Sequence, residues 1–443
     1  MLHQNLFKLS HQALYPKFHS TYKCVMKSQW QSSEEQKLQQ EKQLQNMIRF
    51  VYGNVPYYHK LFKELKISPD DIRTLEDLRK LPILTKDTIK ANWEDFKPAN
   101  LASMKYYKKT TGGSTGTPFE FRFSKPDRFL SVSILYRGWS YGGYKLADKM
   151  VFLAGSALNV GTESSIIKKT HEITRNLKKL SSFDMGIQDM ENYTKIINSF
   201  NPRFLRGYAS SIDFFAKHID KKNEQINFDA VFTTSEKLYP HMRKNIENVF
   251  SCDVFDGYGL YDGGVSAFEC QEHNGLHIDT ERSIMEIVDE NGCQLEEDTG
   301  SIIATSLHNF AMPFIRYDTG DMGHIIEDQC GCGRESRLLK EVLGRSVDIL
   351  VTPEGKQVHG WFFLYIFWEY CKGIKEYQVV QISLEKIVIK IVPDDDFDEK
   401  QLDIIRSVIY NKSHGWIIEF NFVDSIEKTT AGKHKFIISK LND

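Results

Sequence analysis

Lys108-Lys109-Thr110-Thr111-Gly112-Gly113-Ser114-Thr115-Gly116-Thr117-Pro118 is the stretch on which the reading of this chain turns. Glycines carry no Cβ, so backbone N–H groups can close on an oxyanion there. The hydroxyls of Ser114, Thr115 and Thr117 add donors for phosphate oxygens. The residues that follow, Phe119-Glu120-Phe121-Arg122-Phe123, alternate with period two, as a half-buried strand does. Taken alone, the stretch reads equally as a hairpin turn rich in small residues, because short glycine motifs arise by chance. A Walker-type P-loop is excluded, since Gly-x4-Gly-Lys-Ser/Thr is absent from the sequence.

Downstream of that stretch, short apolar runs at Lys149–Leu153, Phe204–Tyr208, Ala230–Thr234 and Val254–Tyr258 alternate with helical patterns at Asp127–Tyr141, Tyr193–Phe200, Ser211–Ile219 and His241–Phe250. That alternation predicts an α/β domain with a largely parallel sheet. From Leu276 to about residue 345, β-like runs separated by Asn-Gly and Thr-Gly turns predict a β-rich subdomain. The last ninety-odd residues mix strand and helix patterns and suffice for a small α+β domain. Upstream, residues 1–100 read as a helical lead-in. Ser33–Phe50 is rich in good helix formers, Pro56 breaks that helix, and Pro82 ends short helical pieces over Asp70–Leu81.

Composition narrows the function. The 57 basic and 59 acidic residues leave a net charge of −2, which argues against a nucleic-acid partner. Seven cysteines are an odd number in a long chain, so we expect a reducing compartment and no disulfide framework. The N-terminal residues show no secretory signal, and the longest apolar run, Trp361–Trp368, is too short to cross a bilayer. Cytoplasm is therefore the expected location. The aromatic run itself reads as core of the small domain, against a minority reading as a partner-facing patch.

Four further clusters bear on chemistry. Ser235-Glu236-Lys237 follows an apolar strand, where open α/β sheets bind ligands. Asp256-Gly257-Tyr258-Gly259-Leu260-Tyr261-Asp262-Gly263-Gly264 sets tyrosines and aspartates among glycines, offering a ring face for a purine and oxygen ligands for Mg²⁺. Arg316-Tyr317-Asp318-Thr319-Gly320-Asp321, with Gly344-Arg345 beyond it, suits ribose hydroxyls and phosphate. Thr429-Thr430-Ala431-Gly432-Lys433 places a lysine on a glycine-flexed loop, where it can meet a developing oxyanion. Each has a bland alternative: a helix cap, a flexible loop, a β-turn with a salt bridge, one more exposed lysine.

In their order and spacing the clusters resemble the adenylate-forming (acyl-CoA synthetase) superfamily, and within it the phenylacetate–CoA ligase and CapK-like branch. The resemblance covers nearly the whole chain and includes Asn54-Val55-Pro56-Tyr57-Tyr58, Leu81-Pro82-Ile83-Leu84-Thr85-Lys86 and Met312-Pro313-Phe314-Ile315-Arg316-Tyr317. It implies a large N-terminal adenylation domain over 1–345, with its β-rich part at about 276–345. A small mobile C-terminal domain, 346–443, would turn about a hinge at 346–348. It implies that Thr111, Gly112, Gly113, Ser114, Thr115, Gly116 and Thr117 bind phosphate, with Thr115 at the chemistry. Ser235 and Glu236 would frame adenine, Tyr258 would stack on it within Asp256–Gly259, Asp321 would hold the ribose, and Arg345 would lie near ribose and phosphates. Asp262 would place Mg²⁺, and Lys433 would stabilise the adenylation transition state.

The implied reaction is ATP-dependent activation of a small-molecule carboxylate, then acyl transfer to an acceptor, CoA by default. Capsular or surface polysaccharide assembly is a further setting the resemblance suggests, and monomer or homodimer the expected state. Relatives carry Thr-Glu or Ser-Glu where this chain has Tyr261-Asp262, and a hinge acid where it has Val347. Those departures keep a second reading open, a non-catalytic nucleotide- or acyl-binding protein on the same fold. Cys270, His273, His277, Cys330 and Cys332 form a separate signal, since three thiolates and an imidazole complete a tetrahedral zinc site. Cys-x-Cys is tighter than the usual zinc spacing, so the residues alone also read as unconnected thiols. The resemblance favours structural zinc on Cys270, Cys330, Cys332 and His277, with His273 in reserve.

Overall fold

The computed structural model describes residues 2–111, 119–155, 164–182, 185–345, 349–355, 357–359, 361–394, 396–428 and 434–441. The chain separates into two compact units, Met1–Val342 and Leu343–Asp443. The glycine-rich residues 112–118, the expected hinge 346–348 and Lys433 lie outside the described residues.

The larger unit contains a five-stranded parallel sheet in the order Leu177–Ser181, Met150–Ala154, Phe204–Gly207, Ala230–Thr233, Asp253–Phe255. The middle strands are apolar because helices cover them. The edge strand Leu177-Lys178-Lys179-Leu180-Ser181 carries two lysines and escapes an apolar reading, although charge is common on exposed edges. A seven-stranded sheet follows, in the order Ser283–Val288, Asp298–Ser306, Tyr317–Ile326, Leu338–Arg345, Leu276–Ile278, Ser266–Glu269, Gly257–Gly259. It begins some twenty residues before the change in sequence texture at Leu276.

The reason is local. Val254–Tyr258 is not one strand: Asp253–Phe255 closes the parallel sheet and Gly257–Gly259 opens the other. At Gly257 a Cβ would lie 3.1 Å from the Phe268 ring, so the crossing admits only glycine without displacement. Asp256 stands at the crossing.

The stretch quoted at the outset joins two strands, Tyr106–Thr111 and Phe119–Ser124, which pair antiparallel from Tyr106↔Ser124 to Thr111↔Phe119. The helical lead-in divides between two cores. Phe7 and Phe18 of helices Leu2–Leu14 and Phe18–Ser28 pack with Phe129, Tyr136 and Trp139 over the parallel sheet. Leu44, Ile48 and Val51 of helix Ser33–Asn54 pack with Tyr58, Ile287 and Ile302 against the antiparallel sheet. Ser32 starts that helix with a capping box to Glu35, and Pro56 begins the next one at its first turn.

In the smaller unit, strands Ile417–Phe422, Lys386–Pro393, Ile374–Gln381 and Ile437–Ser439 form a four-stranded sheet in that order. Helices Trp361–Tyr370 and Gln401–Lys412 contribute Phe363, Ile366, Phe367 and Ile405 to a core with Val379 and Ile389. These residues of the aromatic run are core. Each such side chain contributes about 2 kcal/mol by burial, a partner-free reason for the composition of the run.

Candidate active site and metal centre

Three of the apolar motifs prove to be bracing. Tyr58 Oη donates to Pro313 O at 3.2 Å and accepts from Ile315 N at 2.9 Å. Leu84 N donates to Arg316 O at 2.8 Å, and Asp318 N to Leu84 O at 2.9 Å. Arg316, with a left-handed φ of 52°, is buried. It holds Glu286 at 3.2 Å and Leu81 O at 3.0 Å. Its salt bridge is structural, the bland alternative for this residue. Together these contacts fix the start of strand Tyr317–Ile326, which carries Asp321.

The polar residues converge next to that strand. Tyr258 Oη donates to Asp321 Oδ2 at 2.9 Å, and Tyr317 Oη donates to Asp262 Oδ2 at 2.8 Å. Both aspartates are nearly buried, at 8% and 4% exposure. Burial and the facing carboxylates hold both phenol protons well above the ordinary tyrosine range. The second carboxylate oxygen of Asp262 has no hydrogen-bond partner among the described residues. Gly320 N donates to Asp318 Oδ1 at 2.8 Å and Asp321 N to Thr319 Oγ1 at 3.1 Å, shaping the turn that presents Asp321.

The adenine candidates lie at the carboxyl ends of the parallel strands. Ser235 follows strand Ala230–Thr233 with φ 66°, a conformation that costs a non-glycine residue about 1 kcal/mol. Glu236 Oε2 accepts from Ser210 N at 3.0 Å and Ser210 Oγ at 2.7 Å, while its Oε1 is buried without a partner. Asp256 Oδ1 accepts from Thr233 Oγ1 at 2.6 Å. Burial drives the Asp256 carboxyl up to about 6, against the pull of that hydrogen bond.

Thr111 is described only as the end of its strand, and Arg345 only as the end of strand Leu338–Arg345. Gly112, Gly113, Ser114, Thr115, Gly116, Thr117 and Lys433 fall outside the described residues. Sequence reading passed over Thr233, Ser210 and Tyr317 as partners. Ser210 was within reach, as a hydroxyl just after a short apolar strand. Tyr317 was not, because its pairing with Asp262 spans 55 residues.

A second cluster gathers Cys270, His277, Cys330 and Cys332, whose ligand atoms all lie within 4.8 Å of one another. Cys270 Sγ is 3.5 Å from Cys330 Sγ, and Cys332 Sγ is 3.3 Å from His277 Nε2. His277 Nδ1 sits 3.0 Å from Ser336 Oγ, which turns Nε2 toward the thiols. Burial lowers the His277 pKa to about 4, so the imidazole is neutral, as a ligand must be. Burial pushes Cys270 up to about 12, so a cation is needed to draw off its proton. At Cys332 burial also pushes upward, but hydrogen bonds from Arg334 outweigh it and hold the thiol below its ordinary range. Three sulfurs and one neutral nitrogen fit Zn²⁺ in number and softness. His273 faces elsewhere, 3.1 Å from Glu269 and 3.5 Å from Arg243.

Comparison with known proteins bears on the fold and the family. Residues 350–440 match the family model of the CapK C-terminal domain. The chain is 25% identical to Protein CapK of Staphylococcus aureus over 91% of its own length and 89% of the relative's. It is 23% identical to a phenylacetate-coenzyme A ligase of Thermus thermophilus, covering 85% of each. Among solved structures it resembles 2-hydroxyisobutyryl-CoA ligase in the postadenylation state, with a TM-score of 0.74 over 93% of this chain and 91% of that one, at 15% identity. A two-sheet α/β unit followed by a small α+β unit is the fold that this chain shares with that ligase. The curated relatives, the matched C-terminal domain and the fold together support the adenylate-forming superfamily, phenylacetate–CoA ligase and CapK-like branch. No helix among the described residues is long and apolar enough to cross a membrane.

Proposed function

We propose that this protein activates a carboxylic acid with ATP and passes the acyl group to CoA. A carboxylate oxygen of the substrate attacks the α-phosphorus of ATP, the bond to the bridging oxygen breaks, and pyrophosphate leaves. A thiolate then attacks the acyl carbon and AMP departs. The observation that carries the reading is the pair of buried carboxylates, Asp262 and Asp321, each anchored by a tyrosine hydroxyl. Two nearly buried carboxylates, each accepting from a tyrosine hydroxyl, suit a ribose and a cation. Asp321 would take the ribose hydroxyls in place of Tyr258 Oη, freeing that ring to stack on the base. The unpartnered Oε1 of Glu236 would accept from the adenine amino group. Asp262 would hold Mg²⁺ through its other oxygen, and the ion when bound would offset phosphate charge. Residues 111–117 would cradle the phosphates, Arg345 would lie near them, and Lys433 would meet the charge that develops on α-phosphate oxygens.

Zinc on Cys270, His277, Cys330 and Cys332 would be a cross-link, far from any need for reactivity. A final acceptor in surface-polysaccharide assembly is the narrower setting we propose, on the CapK-like character of residues 350–440.

The test is acid-dependent exchange of pyrophosphate into ATP, screened over aryl, fatty, hydroxy and dicarboxylic acids. Exchange that is lost by a factor of about 10² or more in Lys433→Ala, with nucleotide binding retained, is the expected result. An unchanged rate in that variant would overturn the assignment of Lys433. Absence of ATP binding in the wild type would end the reading as a whole.

A further inference from the structure

The middle strand of the parallel sheet, Phe204–Gly207, carries an arginine. In register, Arg206 stands between Phe152 and Phe232, in a row that runs from Lys179 on the edge strand to Phe255. Its guanidinium lies 4.7 Å from the Trp139 ring centroid and 5.3 Å from that of Phe152. The residue is 7% exposed. Arg137, Arg282 and Arg316 are as deeply buried, and each holds one or two carboxylates. Arg206 has neither an ion pair nor a hydrogen bond among the described residues. The groups that act on its charge are the hydroxyls of Tyr261, Tyr136 and Tyr208. Contact with ring faces offsets only part of the cost of desolvating a guanidinium. The burial is felt: it draws the Arg206 pKa down to about 10.

The place of this unpaired cation matters. Arg206 is one residue from the carboxyl end of its strand, where open sheets bind ligands. Its charge acts on Tyr261, which directly precedes Asp262 of the proposed site and is 41% exposed. Lys109 sits 3.8 Å from the Tyr261 ring centroid. The buried guanidinium, walled by Trp139 and Phe152, thus acts on a tyrosine that adjoins the proposed site.

We propose that Arg206 is the specificity residue of the acyl pocket, and that the acid this protein activates bears a second carboxylate at the end remote from the reacting one. The inference rests on the adenylation reading and deepens it. A single planar guanidinium offers two parallel N–H donors, the geometry of a carboxylate. The reacting carboxylate is a poor candidate, because a bidentate arginine would hold the oxygens that must attack phosphorus. The aromatic walls fit an apolar or aryl spacer between the two acids.

The test compares acids of one skeleton: butanoate with succinate, hexanoate with adipate, phenylacetate with 4-carboxyphenylacetate. In pyrophosphate exchange the diacid of at least one pair should exceed its monoacid by about tenfold or more in kcat/KM. That ratio should fall by about tenfold in Arg206→Gln and be partly restored in Arg206→Lys. A wild-type ratio near one in every pair, or a ratio unchanged in Arg206→Gln, overturns the inference.

Thermal denaturation reads the site without turnover. The preferred diacid should raise the Tm of the wild type and not that of Arg206→Gln. With no acid present, Arg206→Gln should melt no lower than the wild type. A purely structural arginine would lower it, which also counts against the inference. Failure of exchange with every acid, alongside an Arg206-dependent rise in Tm, would sink the adenylation reading and keep the anion site. The absence of any rise sinks the anion site itself.

Discussion

At the scale of single residues, the site is a set of carboxylates whose environments differ. Asp256 is the extreme case: burial moves its pKa from the ordinary 3.8 to about 6. The folded chain therefore holds that proton more tightly than the unfolded chain does. This term favours folding at acid pH, weakens as pH rises from about 4 to about 6, and leaves a cost of at most about 3 kcal/mol above that window. Asp256→Asn keeps an acceptor for Thr233 and cannot ionise. It should be more stable than the wild type at about pH 8 and no more stable at about pH 4, as urea unfolding at the two pH values would report. An equal difference at both would mean that Asp256 titrates normally.

Tyr258 offers a second test. Its hydroxyl restrains Asp321, but its proposed role in the complex belongs to the ring. Tyr258→Phe should change KM for ATP by no more than about threefold, whereas Tyr258→Ala, which removes the ring face, should raise it about tenfold or more. Equal effects would assign the binding to the hydroxyl.

At the scale of elements, position in the sheet decides what the sequence shows. Covered strands such as Ala230–Thr233 are legible because they are apolar on both faces. Helix Ser33–Asn54 is legible because its cap and its composition agree. Leu177–Ser181 and Tyr106–Thr111 are not, because both are rich in lysine and hydroxyl side chains and take their strand character from a neighbour. Asp253–Phe255 and Gly257–Gly259 read as one run, since nothing in five residues announces a change of sheet.

Close approach between strands is equally hidden in the sequence. At Gly207 a Cβ would stand 2.0 Å from Leu153 O, a backbone atom of the adjacent strand. Gly207→Ala should lower Tm by several degrees or prevent folding, with Gly143→Ala near an open surface as the contrast for its own φ strain. The cysteine cluster is an element-scale device too. It ties the turn bearing Cys330 and Cys332 to strand Leu276–Ile278, and it shares a core with Val25 of the second helix. Metal analysis should find about one zinc per chain in the wild type. Cys330→Ser should lose most of it, with a lower Tm but the same nucleotide KM when folded. Full zinc retention in that variant would remove Cys330 from the ligand set.

At the scale of the whole molecule, the chain divides its proposed tasks between two units with separate cores. Among the described residues, the core of Phe363, Ile366, Val379, Ile389 and Ile405 is built within Leu343–Asp443, and the two cores around the large sheets are built within Met1–Val342. Tyr258, Asp262, Asp321, Glu236 and the proposed zinc ligands all belong to the first unit, while Lys433 belongs to the second. The order of motifs along the sequence places an expected boundary after Arg345, whereas the compact units part after Val342. What no sequence pattern could give is the partner of each polar atom, since partners such as Tyr317 and Asp262 are set by the register of strands.

The division predicts that binding and chemistry can be separated by cutting the chain. A protein ended after Arg345 keeps the whole of strand Leu338–Arg345 and should fold, retain zinc, and bind ATP with an affinity within a few-fold of the intact chain. It should support no pyrophosphate exchange, because Lys433, the proposed transition-state lysine, is missing. Adding residues 346–443 as a separate chain should restore little exchange, since a covalent link supplies an effective concentration of about millimolar order that a free fragment lacks. Calorimetry for ATP and exchange kinetics on the same preparations would decide it. Exchange by residues 1–345 alone would mean that Lys433 is not the group that meets the charge on the α-phosphate. Loss of ATP binding on cutting would mean that residues beyond Arg345 carry part of the nucleotide site.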